Sequence, residues 1–433
     1  MQKIHPEDLS EIIGPRAAIG LGNACAEPQT LIDALIESRN AFESVEIYGM
    51  IHYWTDRFLE YDLSKNFKLN VFMVDRYTVK GIQKGFTDYI PCRYSNIPEL
   101  FHKDHIRLDA VLISVSPPDA SGNCTYGVSS DFTRAMAENA GIVVAEINHR
   151  MPRVYGNSII HIDQIDFMVE TDRQLPQVQT SKLTDTDRRI GEHVARIIDD
   201  GATIQIGIGR LSEATLESLQ DKKGLGIHSG LLTDGMVDLV EKGIVDNSNK
   251  GFKDGKVVGT TMIGTDRLFG FVHENKQVES YPSDFTHNEV TLSKINRLHA
   301  INSAIQVDLS GQTNAETIGG IQVSGVGGQS DFVGGAGLSK GGKSIIVISS
   351  ARSKGKRSRI VPFLDLGASV TSLRHDIDYV VSEFGIAALK GKTLRQRSAA
   401  LIRIAHPKFR DELEAEYGRL YAKKTGLFNT KAR

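Results

Sequence analysis

The sequence predicts an α/β protein built from two similar open domains with mostly parallel sheets. Two observations favour this class: apolar runs rich in β-branched residues alternate with helical stretches, and the halves of the chain resemble each other. Near-continuous apolar strands separated by helices are typical of parallel sheets covered on both faces. Such strands are predicted at residues 110–115, 142–145, 203–206 and 344–349.

Three pairs of similar segments occur in the same order in each half of the chain. The pairs are 11–22 with 196–209, 127–132 with 325–332, and 165–170 with 377–383. One such match could arise by chance, whereas three in register favour an internal duplication. The polar stretch 170–188 separates the halves, so we predict domains over residues 1–183 and 184–433. Phe409, Leu413, Tyr417 and Leu420 follow a helical spacing and predict a closing amphipathic helix.

Composition narrows the classes of function. The 433 residues are 40% hydrophobic and 24% charged, with a formal net charge of −2, so no global basic field favours nucleic acid or an anionic membrane. The three cysteines, Cys25, Cys92 and Cys124, form neither a disulfide framework nor a zinc motif. The N-terminus lacks the apolar core of a signal peptide, and no apolar run reaches the ~20 residues of a membrane span. We therefore expect a soluble cytoplasmic protein.

A first glycine loop follows the strand predicted at 203–206. Gly207 and Gly209 let a ligand approach the backbone, and the N-terminus of the following helix favours negative charge. The pattern G-x-G-x-x-S is not the full dinucleotide fingerprint, and no acidic residue stands where a ribose partner is needed. We expect no dinucleotide cofactor, and a tight structural turn is the alternative interpretation of this segment.

A second glycine-dense loop is predicted from residues 325–328 and 334–337. Closely spaced backbone N–H groups in such loops can stabilise a developing oxyanion, although a loop that only turns sharply is the alternative. A basic run then follows the last predicted strand: Arg352, Lys354, Lys356, Arg357 and Arg359. It is either a solvated loop or a phosphate contact at the carboxyl end of a sheet.

The histidines show no metal-ligand spacing. His149, His161, His228 and His406 lie in different motifs, and hydrogen-bonded structural histidines are the better interpretation for most of them. No serine nucleophile elbow is present, and no motif activates Cys124. We expect no metal site.

Two long signatures, taken with the glycine loops, resemble the acetyl-CoA hydrolase/transferase family. They cover residues 116–156 and 378–407, and the similarity extends over essentially the whole chain. The closest branch is that of 4-hydroxybutyrate and butyrate CoA-transferases. The resemblance implies two α/β domains, usually in a homodimer, with the active site in the cleft between them.

The resemblance also implies a ping-pong transfer of coenzyme A between short acyl groups and carboxylic acids. A glutamate attacks the acyl-CoA thioester, and the CoA thiolate then forms a glutamyl-CoA thioester. An ionised carboxylate suits this role at neutral pH. Gly327 and Gly328 would stabilise the oxyanion. CoA, which is a substrate, would lie along Gly207, Ile208, Gly209, Arg210 and Leu211, and near Gly328 and Arg359.

The chain departs from the family pattern at the nucleophile. Family members usually carry the glutamate in G-I-H-[ST]-E, whereas residues 226–230 read G-I-H-S-G, so Gly230 stands in its place. Glycine cannot form the covalent intermediate. Either the chain is an inactive CoA-binding regulatory protein, or another carboxylate reaches the thioester; an acyl-CoA hydrolase is a further alternative.

Glu60 is the predicted replacement nucleophile. It lies in residues 54–62, where the chain resembles a subgroup that carries its glutamate on this N-terminal loop. We expect the small Gly230 to leave room for a side chain from the opposite wall. Asp56 and Asp62 are the alternatives. Glu27, Asp234 and Glu383 also occur in members that keep the usual glutamate, so the resemblance gives these three residues other purposes.

Overall fold

The computed structural model describes residues 1–179, 181–352 and 355–421; within these ranges, the side chains of residues 56, 58, 59, 420 and 421 are outside the description. The structure confirms the predicted α/β class with mostly parallel sheets. No helix in the described ranges is both long enough and apolar enough to cross a membrane.

The first half of the chain forms an eight-stranded sheet. All neighbouring strands in it are parallel, in the order β1-β11-β8-β6-β2-β3-β4-β5. The strands of this half are β1 Gln2–Lys3, β2 Ala18–Leu21, β3 Val45–Gly49, β4 Phe67–Val71, β5 Thr87–Tyr89, β6 Leu108–Val115, β7 Asn123–Thr125, β8 Ala140–Asn148, β9 Tyr155–Gly156, β10 Ile159–His161 and β11 Phe167–Thr171. The helices are α1 Leu9–Ile12, α2 Gln29–Glu37, α3 Thr55–Glu60, α4 Thr78–Lys84, α5 Ile97–His102 and α6 Thr133–Asn139.

The second half forms a six-stranded sheet in the order β13-β12-β18-β23-β27-β28, parallel except for its last pair. Its strands are β12 Thr203–Ile206, β13 Gly226–Ile227, β14 Leu231–Leu232, β15 Val257–Gly259, β16 Thr261–Met262, β17 Val278–Ser280, β18 Leu298–Ser303, β19 Gln306–Asp308, β20 Thr313–Asn314, β21 Thr317–Ile318, β22 Ile321–Gln322, β23 Lys343–Val347, β24 Ala351–Arg352, β25 Arg357–Ser358, β26 Ile360–Val361, β27 Tyr379–Ser382 and β28 Gly385–Ala388. Its helices are α7 Asp185–Ala195, α8 Arg210–Glu217, α9 Asp234–Glu241, α10 Asp266–Val272, α11 Ser283–Thr286, α12 Glu289–Ser293, α13 Gln329–Leu338, α14 Leu394–Ile404 and α15 Arg410–Tyr421.

The predicted strands lie in β6, β8, β12 and β23, and the predicted closing helix is α15. Leu413 buries its side chain in the core next to α14, as expected for an amphipathic helix. The side chain of Leu420, which the same prediction included, lies outside the described residues. Local chemistry also fixes where helices begin: at α7, the Thr184 hydroxyl accepts a hydrogen bond from the Asp187 N–H in a capping box.

The two sheets share one strand order over five strands. The order β11-β8-β6-β2-β3 of the first sheet matches β27-β23-β18-β12-β13 of the second. A repeated aspartate does the same job in each: Asp166 accepts a hydrogen bond from Val143 N at 2.8 Å, and Asp378 accepts one from Ser344 N at 3.1 Å. Asp166 precedes β11 and binds β8, and Asp378 precedes β27 and binds β23, so each aspartate joins the start of one strand to its neighbour in the sheet. This equivalence supports the predicted duplication.

A buried polar network joins the halves. The Asp131 carboxylate is fully buried and accepts hydrogen bonds from Asn23, Ser129 and Thr133. The Ser129 hydroxyl lies 3.1 Å from that of Thr261 in the second half, which lies 3.2 Å from the Tyr94 hydroxyl. Because burial without such partners is costly, the network holds the two halves in one relative position.

The matching aspartate of the second half reaches back into the first. Asp331 is 1% exposed and accepts hydrogen bonds from the backbone N–H and the hydroxyl of Ser95. The burial of Asp331 raises the pKa of its carboxyl to about 6. A parallel pair, β9 with β17, adds main-chain hydrogen bonds across the same boundary. The repeated G-V-…-D-F segments thus connect the halves reciprocally.

We predict that Asp131→Ala lowers the free energy of unfolding by about 3 kcal/mol, because several buried donors lose their acceptor at once. Urea denaturation followed by circular dichroism measures the change. Asp163→Ala is the control, since the Asp163 side chain is 85% exposed. Equal stability of the two variants would contradict a structural role for the network.

Candidate active site

The candidate site lies where the carboxyl ends of β2 and β3 face the second half of the chain. Ala24–Ala26, which follow β2, are buried in one hydrophobic cluster with strands of the second sheet. Burial raises the pKa of the Cys25 thiol to about 12, partly offset by a hydrogen bond with the Gly264 backbone. The Cys25 thiol is therefore neutral and does not act as a nucleophile.

The first predicted glycine loop lines a cavity of about 340 Å³. Gly209 adopts a φ of +112°, which an L side chain rarely tolerates, and it leads directly into α8. The lining includes Ile208, Gly209 and Arg210 together with Glu213, Thr233 and Asp234. The loop therefore borders open space, as a ligand-binding turn requires.

Three arginines converge beside this loop. Burial, together with the charges of Arg352 and Arg210, lowers the pKa of the Arg359 guanidinium, while Glu383 acts in the opposite direction. The Nε atoms of Arg352 and Arg359 are buried and have no hydrogen-bond partner among the described residues. Clustered like charges with unpartnered donors favour an anionic ligand.

Only part of the predicted basic run takes part in this cluster. Lys356 and Arg357 are exposed, as a solvated loop predicts, whereas Arg352 and Arg359 are half-buried. Lys354 lies outside the described residues.

The second glycine loop, residues 325–328, is held from both sides. Tyr94 N donates to Gly327 O at 3.1 Å, and Val326 N donates to the Tyr89 hydroxyl at 3.2 Å. Gly327 has a φ of +51°. Within the described residues, the N–H groups of Gly327 and Gly328 donate to no protein acceptor. Two such adjacent donors suit an oxyanion.

The glycines at 334–337 are not part of this loop, so that prediction was wrong. They lie inside helix α13. A Cβ on Gly335 would come within 2.4 Å of the Leu292 side chain on α12, so glycine there permits close helix packing. Glycine density alone did not distinguish a ligand loop from a crowded helix.

The space at Gly230 is filled. A Cβ built on Gly230 would lie 2.4 Å from the Nε2 atom of His287, and one built on Gly328 would lie 2.5 Å from the same atom. The expectation that Gly230 leaves room for a side chain from the opposite wall is therefore wrong at this point. The imidazole of His287 occupies that volume.

Aromatic rings fix His287 in place. Its ring lies 4.7 Å from the rings of Tyr94 and Phe332, edge to face with both. His228, from the G-I-H-S-G motif, donates from Nε2 to Thr286 O at 2.9 Å. This hydrogen bond fixes the backbone of Thr286, the residue before His287. Burial lowers the pKa of His228 and of His287 to about 3, so both imidazoles are neutral at neutral pH.

Comparison with known proteins identifies the family. The profile described as "Acetyl-CoA hydrolase/transferase N-terminal domain" matches residues 2–178, and that described as the corresponding C-terminal domain matches residues 264–417. The 4-hydroxybutyrate coenzyme A transferase of Clostridium kluyveri is 45% identical over 91% of this chain and 92% of its own length. This chain belongs to the acetyl-CoA hydrolase/transferase family.

Other relatives in the comparisons include the succinyl-CoA:cyclohexane-1-carboxylate CoA transferase of Geobacter metallireducens, which is 39% identical over 89% of this chain and 88% of its own length. Among solved structures, RipA from Yersinia pestis matches with a TM-score of 0.89 at 31% identity, over 97% of each chain. The 4-hydroxybutyrate CoA-transferase from Porphyromonas gingivalis matches with a TM-score of 0.83 at 34% identity, over 97% of this chain and 98% of its own.

Carboxylates that could replace the family glutamate lie in different settings. Glu60 is exposed at the end of α3, and its carboxylate makes no hydrogen bond or ion pair with a described side chain. Asp62 is exposed and pairs with Lys65, whose hydrogen bond lowers the pKa of the Asp62 carboxyl. Glu383 accepts two hydrogen bonds from Ser350. The side chain of Asp56 lies outside the described residues.

Glu27 and Asp234 have structural partners. Glu27 is 2% exposed, accepts a hydrogen bond from Tyr53 N at 2.7 Å and lies 3.3 Å from His52 Nδ1. Asp234 accepts hydrogen bonds from Thr265 N and Leu268 N and so holds the start of α10.

Sequence reasoning missed three residues at this site: Tyr89, Tyr94 and His287. None belongs to a recognisable motif, and each reaches its glycine loop only through tertiary packing. Covariation between positions 230 and 287 among related sequences is the signal that could have found His287.

We predict that Gly230→Ala destabilises the protein by about 1–3 kcal/mol, because the added methyl group displaces the His287 ring. In a His287→Ala background the same change should cost much less, which a double-mutant cycle of urea denaturation measures. Gly14→Ala is the control, since a Cβ on Gly14 meets nothing within 4 Å. Additive effects at 230 and 287 would show that the two positions are not in contact.

Proposed function

We propose that the chain is an acyl-CoA:carboxylate CoA-transferase for short acyl groups. The observation that carries the proposal is the cluster of Arg210, Arg352 and Arg359 at the first glycine loop, which borders a cavity. The second glycine loop adds two adjacent N–H groups that donate to no described protein acceptor. The thioester carbonyl requires oxyanion donors, and the CoA phosphates require cations. Both requirements are met in a chain whose relatives are named CoA-transferases.

A transferase is favoured over a hydrolase. The relatives that align over about nine-tenths of the chain carry CoA-transferase names, including the butyryl-CoA:acetate CoA-transferase of Anaerostipes caccae at 34% identity. The acetyl-CoA hydrolase of Yarrowia lipolytica matches only 51% of this chain. We therefore assign acid acceptors rather than water to the second half-reaction.

The proposed CoA position follows the loop Gly207, Ile208, Gly209, Arg210 and Leu211. The phosphates lie within reach of the Arg210, Arg352 and Arg359 guanidinium groups, and the thioester end of CoA lies at Gly328. Exposed Ile208 offers an apolar contact to the pantetheine arm. CoA is the substrate of this chemistry, which needs neither a metal ion nor a dinucleotide. We also propose the homodimer and cytoplasmic location that the family resemblance implies.

The proposed covalent steps use the carboxylate of Glu60. One carboxylate oxygen attacks the thioester carbonyl, the C–S bond breaks, and CoA leaves as a thiolate with an acyl-glutamyl anhydride behind it. The thiolate then attacks the glutamyl carbonyl, releases the first acid as a carboxylate, and forms the glutamyl-CoA thioester. An incoming carboxylate reverses both steps. The N–H groups of Gly327 and Gly328 stabilise each oxyanion.

Support for Glu60 comes from its position on the chain. The segment between β3 and helix α3 contains Ile51 and Tyr53, which pack against the hydrophobic cluster that Ala24–Ala26 share with strands of the second sheet.

The function is tested by supplying butyryl-CoA with and without acetate and separating the CoA products by chromatography. We expect acetyl-CoA to form only with acetate, and free CoA to stay low in both reactions. Free CoA that accumulates equally with and without acetate would identify a hydrolase. Binding of CoA in calorimetry with no exchange for any short acid would identify a regulatory protein.

Arg359→Gln should raise the KM for acyl-CoA at least tenfold with a smaller effect on kcat, because a charged hydrogen bond to phosphate is worth about 1.5–3 kcal/mol. Steady-state kinetics of the exchange measures this. Arg357→Gln is the matched control, since Arg357 is exposed in the same hairpin. A KM that changes equally in both variants would remove Arg359 from the proposed CoA site.

Glu60→Ala should lower kcat by several orders of magnitude while CoA binding is kept, because the covalent intermediate itself is lost. Glu60→Gln is the isosteric companion. Borohydride should inactivate the wild-type enzyme only after acyl-CoA is added, and peptide mass analysis should place the reduced residue between Trp54 and Asp62. Exchange by Glu60→Ala at a near wild-type rate would eliminate Glu60 as the nucleophile.

A further inference from the structure

Glu316 is a buried carboxylate whose described hydrogen bonds all come from neutral donors. It lies between β20 and β21, is 7% exposed, and forms no ion pair with a described residue. The Oε1 atom accepts from the Thr371 hydroxyl at 2.8 Å. The Oε2 atom accepts from the Tyr89 hydroxyl at 3.3 Å and from the Gln322 amide at 3.4 Å. A buried carboxylate without a cation is costly, and such costs are typical of groups that serve the function of a protein.

The other neighbours of the two hydroxyl groups determine where their protons lie. Val326 N donates to the Tyr89 hydroxyl at 3.2 Å, and Ala315 N donates to that of Thr371 at 2.9 Å. A backbone N–H only donates, so each hydroxyl oxygen accepts on that side and turns its own proton to Glu316. Burial raises the pKa of Tyr89 to about 12, so its hydroxyl keeps this proton at neutral pH. Glu316 therefore fixes the Tyr89 hydroxyl with a lone pair directed at Val326.

The Tyr89 hydroxyl fixes the second glycine loop at Val326. On one side of Val326, Gly325 packs so tightly that an added Cβ would lie 2.8 Å from the Phe72 carbonyl oxygen. On the other side follow the N–H groups of residues 327 and 328, which donate to no described protein acceptor. The hydrogen bond between Val326 and Tyr89 therefore helps to set the direction of these two N–H groups.

We propose that Glu316 is a positioning residue for the oxyanion donors of the second glycine loop. Its carboxylate holds the proton of the Tyr89 hydroxyl, so the lone pair of that hydroxyl stays on Val326 N–H and the two following N–H groups stay aimed at the oxyanion. Glu316 acts through Tyr89 and does not touch the acyl group. The inference rests on the proposed CoA-transferase function and adds to it a residue outside the glycine loops.

Four variants separate positioning from general support of the fold. Glu316→Met keeps the length of the side chain and removes both acceptors, whereas Glu316→Gln keeps an amide oxygen for Tyr89. Tyr89→Phe removes the same hydrogen bond from its other end. Glu279→Met is the matched control: Glu279 accepts from the Tyr281 hydroxyl at 2.8 Å and pairs with two lysines, and its side chain makes no described hydrogen bond with a glycine loop.

The measured quantities are kcat and the KM for butyryl-CoA, with acetate as the acceptor. We expect kcat to fall about tenfold or more in Glu316→Met and Tyr89→Phe while KM stays within about twofold, because misplaced oxyanion donors weaken binding of the transition state. Glu316→Gln should keep kcat within about threefold of wild type, since its amide oxygen still accepts from Tyr89. The double variant Glu316→Met/Tyr89→Phe should lose no more than the more severe single variant.

Urea denaturation of each variant separates these effects from stability. A merely structural role would lower the stability of Glu316→Met and Glu279→Met alike and leave the kcat of the folded enzyme unchanged. Unchanged kcat in Glu316→Met, an equal fall in Glu316→Gln or Glu279→Met, or losses that multiply in the double variant would overturn the proposal.

A second measurement does not depend on turnover. Hydrogen–deuterium exchange with peptide mass analysis reports on the Val326 N–H group within the peptide of residues 323–332. We expect faster deuterium uptake in Glu316→Met and Tyr89→Phe than in wild type, and no change in Glu279→Met. Unchanged uptake in Glu316→Met would overturn the inference. Absence of CoA transfer to every acid by the wild-type protein, together with the expected deuterium uptake, would instead overturn only the proposed function.

Discussion

The buried hydrogen-bond network through Asp131, Ser129, Thr261 and Tyr94 is the constraint on which the candidate site depends. Asp131 is held in the first half, Thr261 belongs to the second, and the two are joined by the Ser129 hydroxyl. Tyr94 then extends the network to the glycine loop, since its backbone N–H binds Gly327 O and its ring packs on His287. A change in the relative position of the halves would therefore move Tyr94 away from Gly327 and His287.

In the proposed function, local charge rather than net charge attracts the phosphates of CoA. The formal net charge is only −2. The half-buried Arg352 and Arg359 nevertheless create a strong local field, because their charges are close together and partly removed from solvent screening. A phosphate that enters the cluster relieves the repulsion between the guanidinium groups and satisfies their Nε donors.

Sequence patterns predicted the strands and the repeated order of segments because these depend on local hydrophobicity and on turn chemistry. The first glycine loop was also predictable, since a strand, two glycines and a helix follow one another within nine residues. The volume beside Gly230 was not predictable. It is filled by a side chain 57 positions later, which tertiary contacts such as the hydrogen bond from His228 to Thr286 O bring to this place. The glycines of α13 were misassigned for the same reason, because the contact that requires glycine at position 335 is with Leu292 on another helix.

The proposed function requires covalent CoA transfer in a chain that lacks the glutamate at the usual family position. Intact mass spectrometry after incubation with butyryl-CoA, in the absence of an acceptor acid, tests this requirement most directly. The proposed function predicts a protein species heavier by the mass of CoA less one water, which disappears on addition of acetate as acetyl-CoA forms. A protein of unchanged mass that nevertheless binds CoA tightly would contradict it.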